Sequence, residues 1–173
     1  NGPNFINKKI IKTELVHSNN TGIQGFAFNT RKDIFNDINL RKAITMVFDF
    51  EWSNKNLFYN QYLRSNSYFS NSELVADIKP SNDELMLVEK LNINKIKVKD
   101  KIKLPINKSP SDYRKSLIGA KKILDKSGYI VRNGQLYSPS NQPIIINFLL
   151  AQKGFERILA PFRNNLKRLG ITL

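Results

Sequence analysis

Between Phe26 and Asp49 the chain exchanges one apolar period for another, and the switch is punctuated on both sides. Ile23 to Phe28 reads as a strand in which Phe26 and Phe28 share a face by the period of two. Asn29-Thr30 stops it, and a short polar loop runs to Phe35. Asp37 then offers a carboxylate to the free N–H groups of a new helix. Leu40, Ala43, Ile44, Val47 and Phe48 follow at helical spacing and so should face a core. A strand fed through a polar loop into an amphipathic helix confines the chain to folds that mix the two elements.

The rest of the chain alternates in the same way. Residues 8–16 are strand-like, with a turn cluster at Asn19–Gly22, so they suggest a hairpin with residues 23–28. Asp49 to Phe58 continues or restarts the helix, and residues 59–72 form a loop rich in Tyr, Asn, Ser and Phe. Pro80–Glu84 opens a short helix carrying Leu85, Leu87, Val88 and Leu91. Ile93–Lys108 is a low-complexity connecting loop of Lys, Ile and Asn. Ser109-Pro110-Ser111-Asp112 combines a capping hydroxyl, a first-position proline and a first-turn acid. Tyr113, Leu117, Ala120 and Leu124 form the core stripe of the helix that follows, and Gly128 ends it. Asn133-Gly134 between Tyr129–Val131 and Gln135–Tyr137 predicts a tight hairpin. The run Ile144–Leu150 is nearly continuous in apolar residues, as expected of a strand buried on both faces. A last helix carries Phe155, Leu159, Phe162, Leu166 and Leu169. Pro161 kinks it or marks its start. Gly170 stops it.

This order predicts an α/β fold with a mixed sheet flanked by helices on both faces, in one domain without internal repeats. The chain has 173 residues and no run of 18 apolar residues, so no membrane span is expected. Asn1-Gly2-Pro3-Asn4 lacks the basic start and apolar block of a signal peptide. The ending Leu169–Leu173 reads as a helix stop followed by the first residues of a strand, so an internal fragment is the expectation.

Several chemistries are excluded or unsupported. Cysteine is absent, which removes disulfides and thiol nucleophiles, and the single histidine, His17, cannot build a histidine cluster. No glycine-rich phosphate loop precedes Lys-Ser or Lys-Thr. Gly22-Ile23-Gln24-Gly25 is a GxxG string, but it leads into a strand and reads as a turn. Asp49 and Glu51 are explained by helix capping and surface pairing, so no catalytic site, cofactor or metal is expected. The net charge of +14 is the footprint of a nucleic-acid binder. The charges, however, fall on helix faces and in one loop without interleaved aromatics. A small basic nucleic-acid-binding module is therefore the alternative reading, and codon bias toward Lys and Asn explains the excess equally well.

Phe28-Asn29-Thr30, Phe35, Asp37, Arg41, Ala43, Ile44 and Asp49 together resemble the segment with which peptide-binding proteins of bacterial ABC importers enter their second lobe. These are the extracellular solute-binding proteins of family 5. Asn39 departs from the pattern, standing where the family usually carries an Arg. Arg64–Ala76, with Ser67-Tyr68-Phe69-Ser70-Asn71-Ser72-Glu73-Leu74, is similar to the subgroup linked to oligopeptide and microcin C uptake. Arg114–Leu117, Lys122–Tyr129, Phe155–Phe162 and Leu166–Ile171 continue the similarity in order.

The resemblance implies a partial lobe of a periplasmic-binding-protein type II fold, with residues 1–28 as lobe-junction strands and 29–173 as helices, hairpin and buried strand. It implies a periplasmic protein without enzymatic activity that captures an oligopeptide in an inter-lobe cleft. Its partners would be the membrane permease and ATPase subunits of an ABC importer, with no nucleic acid expected. By that resemblance the strand carrying Gln24, Phe26, Phe28 and Asn29 meets the peptide, although Phe26 and Phe28 also read as ordinary strand aromatics. Ligands of open α/β sheets sit beyond the carboxyl ends of strands, which nominates Gln152, Phe155 and Glu156. Helix capping is the competing reading of Glu156. Aromatics on the polar loop, Tyr68 and Phe69 with Tyr59 and Tyr62, form a third candidate surface.

Overall fold

Side chains near the chain's helix ends decide where its elements start. The computed structural model describes residues 2–11, 13, 15, 17, 19, 20, 22–76, 80–92 and 104–173. The helices are α1 (Pro3–Ile6), α2 (Ile38–Met46), α3 (Phe50–Leu57), α4 (Asn82–Lys90), α5 (Pro110–Lys126) and α6 (Glu156–Lys167). Asp37 caps α2 by accepting the Asn39 N–H at 2.7 Å, and Asp49 caps α3 through the Trp52 N–H at 3.3 Å. The helix therefore restarts after Asp49. Ser81 and Glu84 close a reciprocal capping box on α4, and Ser109 caps α5 ahead of Pro110.

A hairpin of β1 (Ile130–Arg132) and β2 (Gln135–Tyr137) pairs antiparallel, with Val131 opposite Leu136. Asn133 and Gly134 both take positive φ, 48° and 79°, as a type I′ turn demands. Leu136 joins the pieces around it. Its N–H donates to Gly170 O at 2.7 Å and its carbonyl accepts the Ile144 N–H at 2.8 Å. A parallel bridge sets Ile145 beside Thr172. The fold class is the expected one, an α/β unit with a small sheet flanked by helices.

The core lies where α2, α5 and α6 meet this sheet. Leu40, Ala43, Ile44 and Val47 of the α2 segment pack with Ala120 and Leu124 of α5. Leu136, Ile144, Leu159, Phe162, Leu166 and Ile171 complete it. The carbonyl of Val47, at the end of α2, accepts from Tyr113 Oη at 3.4 Å and Asn165 Nδ2 at 3.1 Å, so α5 and α6 are both tied to that end. Arg41 donates to Phe35 O and to Asn36 O, the latter at 3.1 Å, and so fixes the short turn Asp33–Phe35.

Four expectations are corrected. The run 144–150 is not buried on both faces: Ile144 and Ile146 are buried, whereas Ile145 is 51% and Leu149 94% exposed. It alternates like a one-sided strand and is held only by bridges, because the flanking backbone on its other side is not supplied by the described residues. The strand expected over 8–16 begins instead as a turn. There Lys9 and Ile10 both donate to Asn4 O, below the unexpected short helix α1. Lys12, Glu14, Val16, Ser18 and Thr21 lie outside the described residues, so the expected hairpin is not seen among the described ones. Ile23–Phe28 is extended and pairs with no strand among the described residues. Of the two expectations for Pro161, that it marks the start of the last helix is excluded, because α6 opens at Glu156 and contains it. The loop expected over 93–108 falls outside the described residues as far as Lys103.

Candidate functional site

Phe26 is held by side chains from three distant elements. Its ring is edge-on to Phe148 at 4.9 Å and to Phe48 at 5.4 Å, and tilted against Phe162 at 5.8 Å. Phe48 and Phe162 pack edge-on in turn, at 5.4 Å. Edge-to-face pairs at these distances place the positive ring edge on the negative face and fix orientation as well as area. Phe162 is buried by the α6 stripe, and Phe148 sits near the end of the extended run 144–150. Phe26 remains 38% exposed, so the cluster presents an aromatic ring to the surface. Phe28, two residues on, turns to Phe35 at 5.3 Å and belongs to the core margin.

The remaining candidates are dispersed. Gln24 is exposed on the same extended segment. Asn29 is occupied locally, its Oδ1 accepting from Arg31 N at 3.2 Å in an Asx turn. Phe155 is half-buried at the head of α6, while Gln152 and Glu156 are exposed beside it. Glu156 is the first residue of α6, where its charge complements the helix dipole. Tyr68 and Phe69 stand 84% and 56% exposed on the loop after α3, and neither pairs with another ring among the described residues. Ser67 and Ser70 instead fold that loop on itself, Ser70 Oγ donating to Ser67 O at 2.7 Å. The structure thus joins Phe26 to the strand-end and α6 region, and leaves Tyr68 and Phe69 as a separate patch. Phe48, Phe148 and Phe162 were legible only as core periodicity; nothing in their spacing marks them as the setting of Phe26.

Behind the cluster a groove of about 970 Å³ opens between the start of α3, the head of α5 and α6. Phe48 and Phe162 form part of its lining, with Trp52, Asn107, Tyr113 and Arg168 around them. Asn107 is buried and donates its N–H to Glu51 Oε2 at 2.9 Å, while its Oδ1 accepts from Ser116 Oγ at 2.8 Å. Burial pushes the Asp49 carboxyl above its ordinary range, opposed by the N–H that Trp52 donates to it. Burial likewise pushes the Tyr113 phenol up to about 12. Among the described residues no group of three or more His, Asp or Glu side chains is arranged to hold a metal ion. None of their helices is long and apolar enough to cross a membrane. The cluster thus places a partly exposed aromatic ring beside a groove lined by both apolar and polar side chains.

A sequence profile described as bacterial extracellular solute-binding proteins, family 5 Middle, matches residues 3–173. An uncharacterized protein of Escherichia coli (strain K12), YejA, is 35% identical over 175 residues, spanning 99% of this chain and 29% of its own length. A probable peptide-binding protein YejA of Agrobacterium fabrum is 33% identical over 155 residues, spanning 86% of this chain and 25% of its own. Among solved structures, the periplasmic EDTA-binding protein EppA superposes with a TM-score of 0.45 at 19% identity, over 83% of this chain and 23% of that one. The chain therefore spans less than a third of the length of the relatives it matches.

Proposed function

This chain belongs to the bacterial extracellular solute-binding proteins, family 5, and from that membership we propose that it is part of the peptide-capturing component of a bacterial ABC importer. In this reading the chain supplies part of one lobe of a periplasmic-binding-protein type II fold. A second lobe closes over the ligand, and the closed form delivers it to the membrane permease and its ATPase. The protein works in the periplasm and changes no covalent bond of its ligand. Oligopeptides, the subgroup's ligands, are the substrate class, in keeping with the name of the Agrobacterium relative.

The observation that supports the reading best is the seating of Phe26. An extended segment ends on a ring held by Phe48, Phe148 and Phe162 yet more than a third exposed. Such a ring, preorganised by its neighbours and open on one side, suits a ligand side chain that would be desolvated when a second lobe closes. Hinge closure requires differential contact with the ligand in the closed state, and an exposed, immobilised aromatic provides a surface for it.

The test is calorimetry of the full-length protein with a pool of synthetic tri- to pentapeptides, beside the isolated 173-residue chain. Binding by the full-length protein and little or none by the isolated chain is the expected result, because one wall buries only one side of a ligand. An absence of heat with the full-length protein, together with a salt-dependent shift of an oligonucleotide, would replace this reading with the nucleic-acid one.

A further inference from the structure

We propose that the groove behind the aromatic cluster selects peptides that carry acidic side chains, which makes acidic oligopeptides the ligand class; this inference rests on the peptide-binding reading above. The groove, of about 970 Å³, is lined by Lys55 of α3, Lys108 before α5, Arg114 of α5 and Arg168 at the end of α6. All four residues are exposed. Segments far apart in the sequence thus bring their cations to one concave surface. The guanidinium carbon of Arg168 lies 6.0 Å from the centre of the Tyr113 ring, which ties the α6 cation to the turn of α5 that carries Arg114.

Two acids, Asp49 and Glu51, line the same groove, and both are half-buried. Asp49 accepts the Trp52 N–H at 3.3 Å, and Glu51 accepts the N–H of the buried Asn107 at 2.9 Å. The acids thus serve the wall of the groove, while the cations stand at its water-facing rim. Four positive charges against two negative ones leave the lining with a net charge of +2. A low-dielectric wall concentrates such a field in a cleft, and the wall here includes Phe48, Phe162 and the 46% exposed Trp52.

Shape and charge together select the ligand chemistry. A concave, partly aromatic groove fits a short chain that offers both apolar and charged side chains, and it does not match a flat lipid surface. The wall carboxylates would repel a polyphosphate backbone, which carries a charge at every nucleotide and cannot avoid them. Isolated Asp or Glu side chains of a peptide can meet the rim cations and leave the wall acids to their own N–H partners. Phe48 and Phe162 belong both to this groove and to the seat of Phe26, so one ligand can reach the exposed ring and the rim charges.

The experiment titrates the full-length protein with two synthetic tetrapeptide pools that have free amino termini and C-terminal amides. The pools differ only in carrying Asp and Glu, or Asn and Gln, at the same positions. At low salt the wild type is expected to bind the acidic pool about tenfold or more tightly than its amide counterpart, and added salt should narrow that ratio. Arg114→Gln/Arg168→Gln and, separately, Lys55→Gln/Lys108→Gln should each reduce the ratio to about threefold or less. The lysine pair decides alone if loss of the Arg168–Tyr113 contact lowers the unfolding temperature. Lys121→Gln/Lys126→Gln removes the same charge from exposed positions of α5 that do not line the groove, and it should leave the ratio intact. Equal affinity of the wild type for both pools overturns this proposal and leaves the peptide-binding reading standing. An equal fall of the ratio in all three double variants overturns it too, since net charge alone would then be responsible. So does tighter binding of a single-stranded oligonucleotide than of the acidic pool. Wild-type protein that binds neither pool overturns the peptide-binding reading and this inference with it.

Discussion

Tyr129 donates its hydroxyl to Asp37 Oδ2 at 2.9 Å, while Oδ1 of the same carboxylate accepts the Asn39 N–H at 2.7 Å. One side chain therefore caps α2 and fastens it to the residue that leads from α5 into β1. Asp37, the first acid of the Phe28–Asp49 motif, is a structural joint.

Tyr129→Phe is expected to cost about 1 kcal/mol, since Asp37 is partly exposed and water can take the vacated lone pair. Asp37→Ala removes the cap and the phenol's acceptor together and is expected to cost about 2 kcal/mol. Urea unfolding of both single variants and the double variant checks this. Strictly additive losses would show that the Tyr129–Asp37 bond contributes nothing.

The aromatic cluster should divide into a structural and a functional half. Phe162→Ala, at a ring 6% exposed, is expected to cost about 3–5 kcal/mol of stability. Phe26→Ala, at 38% exposure, should cost well under that and should weaken peptide binding by the full-length protein by about 1–3 kcal/mol. Thermal unfolding measured beside calorimetry decides between the roles. If Phe26→Ala loses stability and binding in equal measure, Phe26 is a core residue.

Alkali should destabilise this chain through two phenols. Burial raises Tyr113 from 10.0 to about 12, and burial with the Asp37 carboxylate raises Tyr129 further. A phenol whose folded pKa is raised keeps its proton longer in the folded state, so its contribution is complete below the unfolded value. It is lost as pH rises from about 10 through the folded value. Denaturant midpoints taken between about pH 9 and pH 12 should fall with pH, and Tyr113→Phe should flatten that fall. A midpoint independent of pH across this window would contradict the burial of both phenols.

Gly170→Ala should be the most damaging of the glycine substitutions in the α5–hairpin–α6 region. A Cβ there would lie 2.8 Å from Leu136 N in a backbone at φ +78°, and Gly170 O is the acceptor of that same N–H. A loss of at least about 2 kcal/mol is expected. Gly134→Ala meets no atom within 4 Å and should lose only the cost of its φ of +79°, about 1 kcal/mol. Unfolding temperatures in the reverse order would refute the close approach of Gly170 to β2.

Local chemistry was readable wherever it acts over a few residues. Asp37, Ser81 and Ser109 cap helices because their side chains reach N–H groups two or three residues on. Asn133-Gly134 turns because both residues tolerate positive φ. Gly128 and Gly170 end helices for the same reason. Arg41, legible as a motif residue, acquires a task only in three dimensions, holding the carbonyls of the turn before its own helix.

The run Ile144–Leu150 shows where sequence stops deciding. Its apolar continuity cannot tell a strand buried on both faces from one buried on a single face, because burial is set by what packs on each side. Here the side chains at 144 and 146 meet the core and those at 145 and 149 meet water. The start of the strand expected over 8–16 is lost for a related reason, since strand propensity needs a partner backbone and Asn4 O takes the N–H groups of Lys9 and Ile10. The candidate site divides in the same way. Sequence alone picked Phe26 by its strand position and resemblance, and it set out the helical stripes to which Phe48 and Phe162 belong. Only the tertiary structure could set those rings and Phe148 around Phe26 and bring Arg114 and Arg168 to one groove, because contacts between residues far apart in the chain are decided by how whole elements pack and not by the preferences of any one of them.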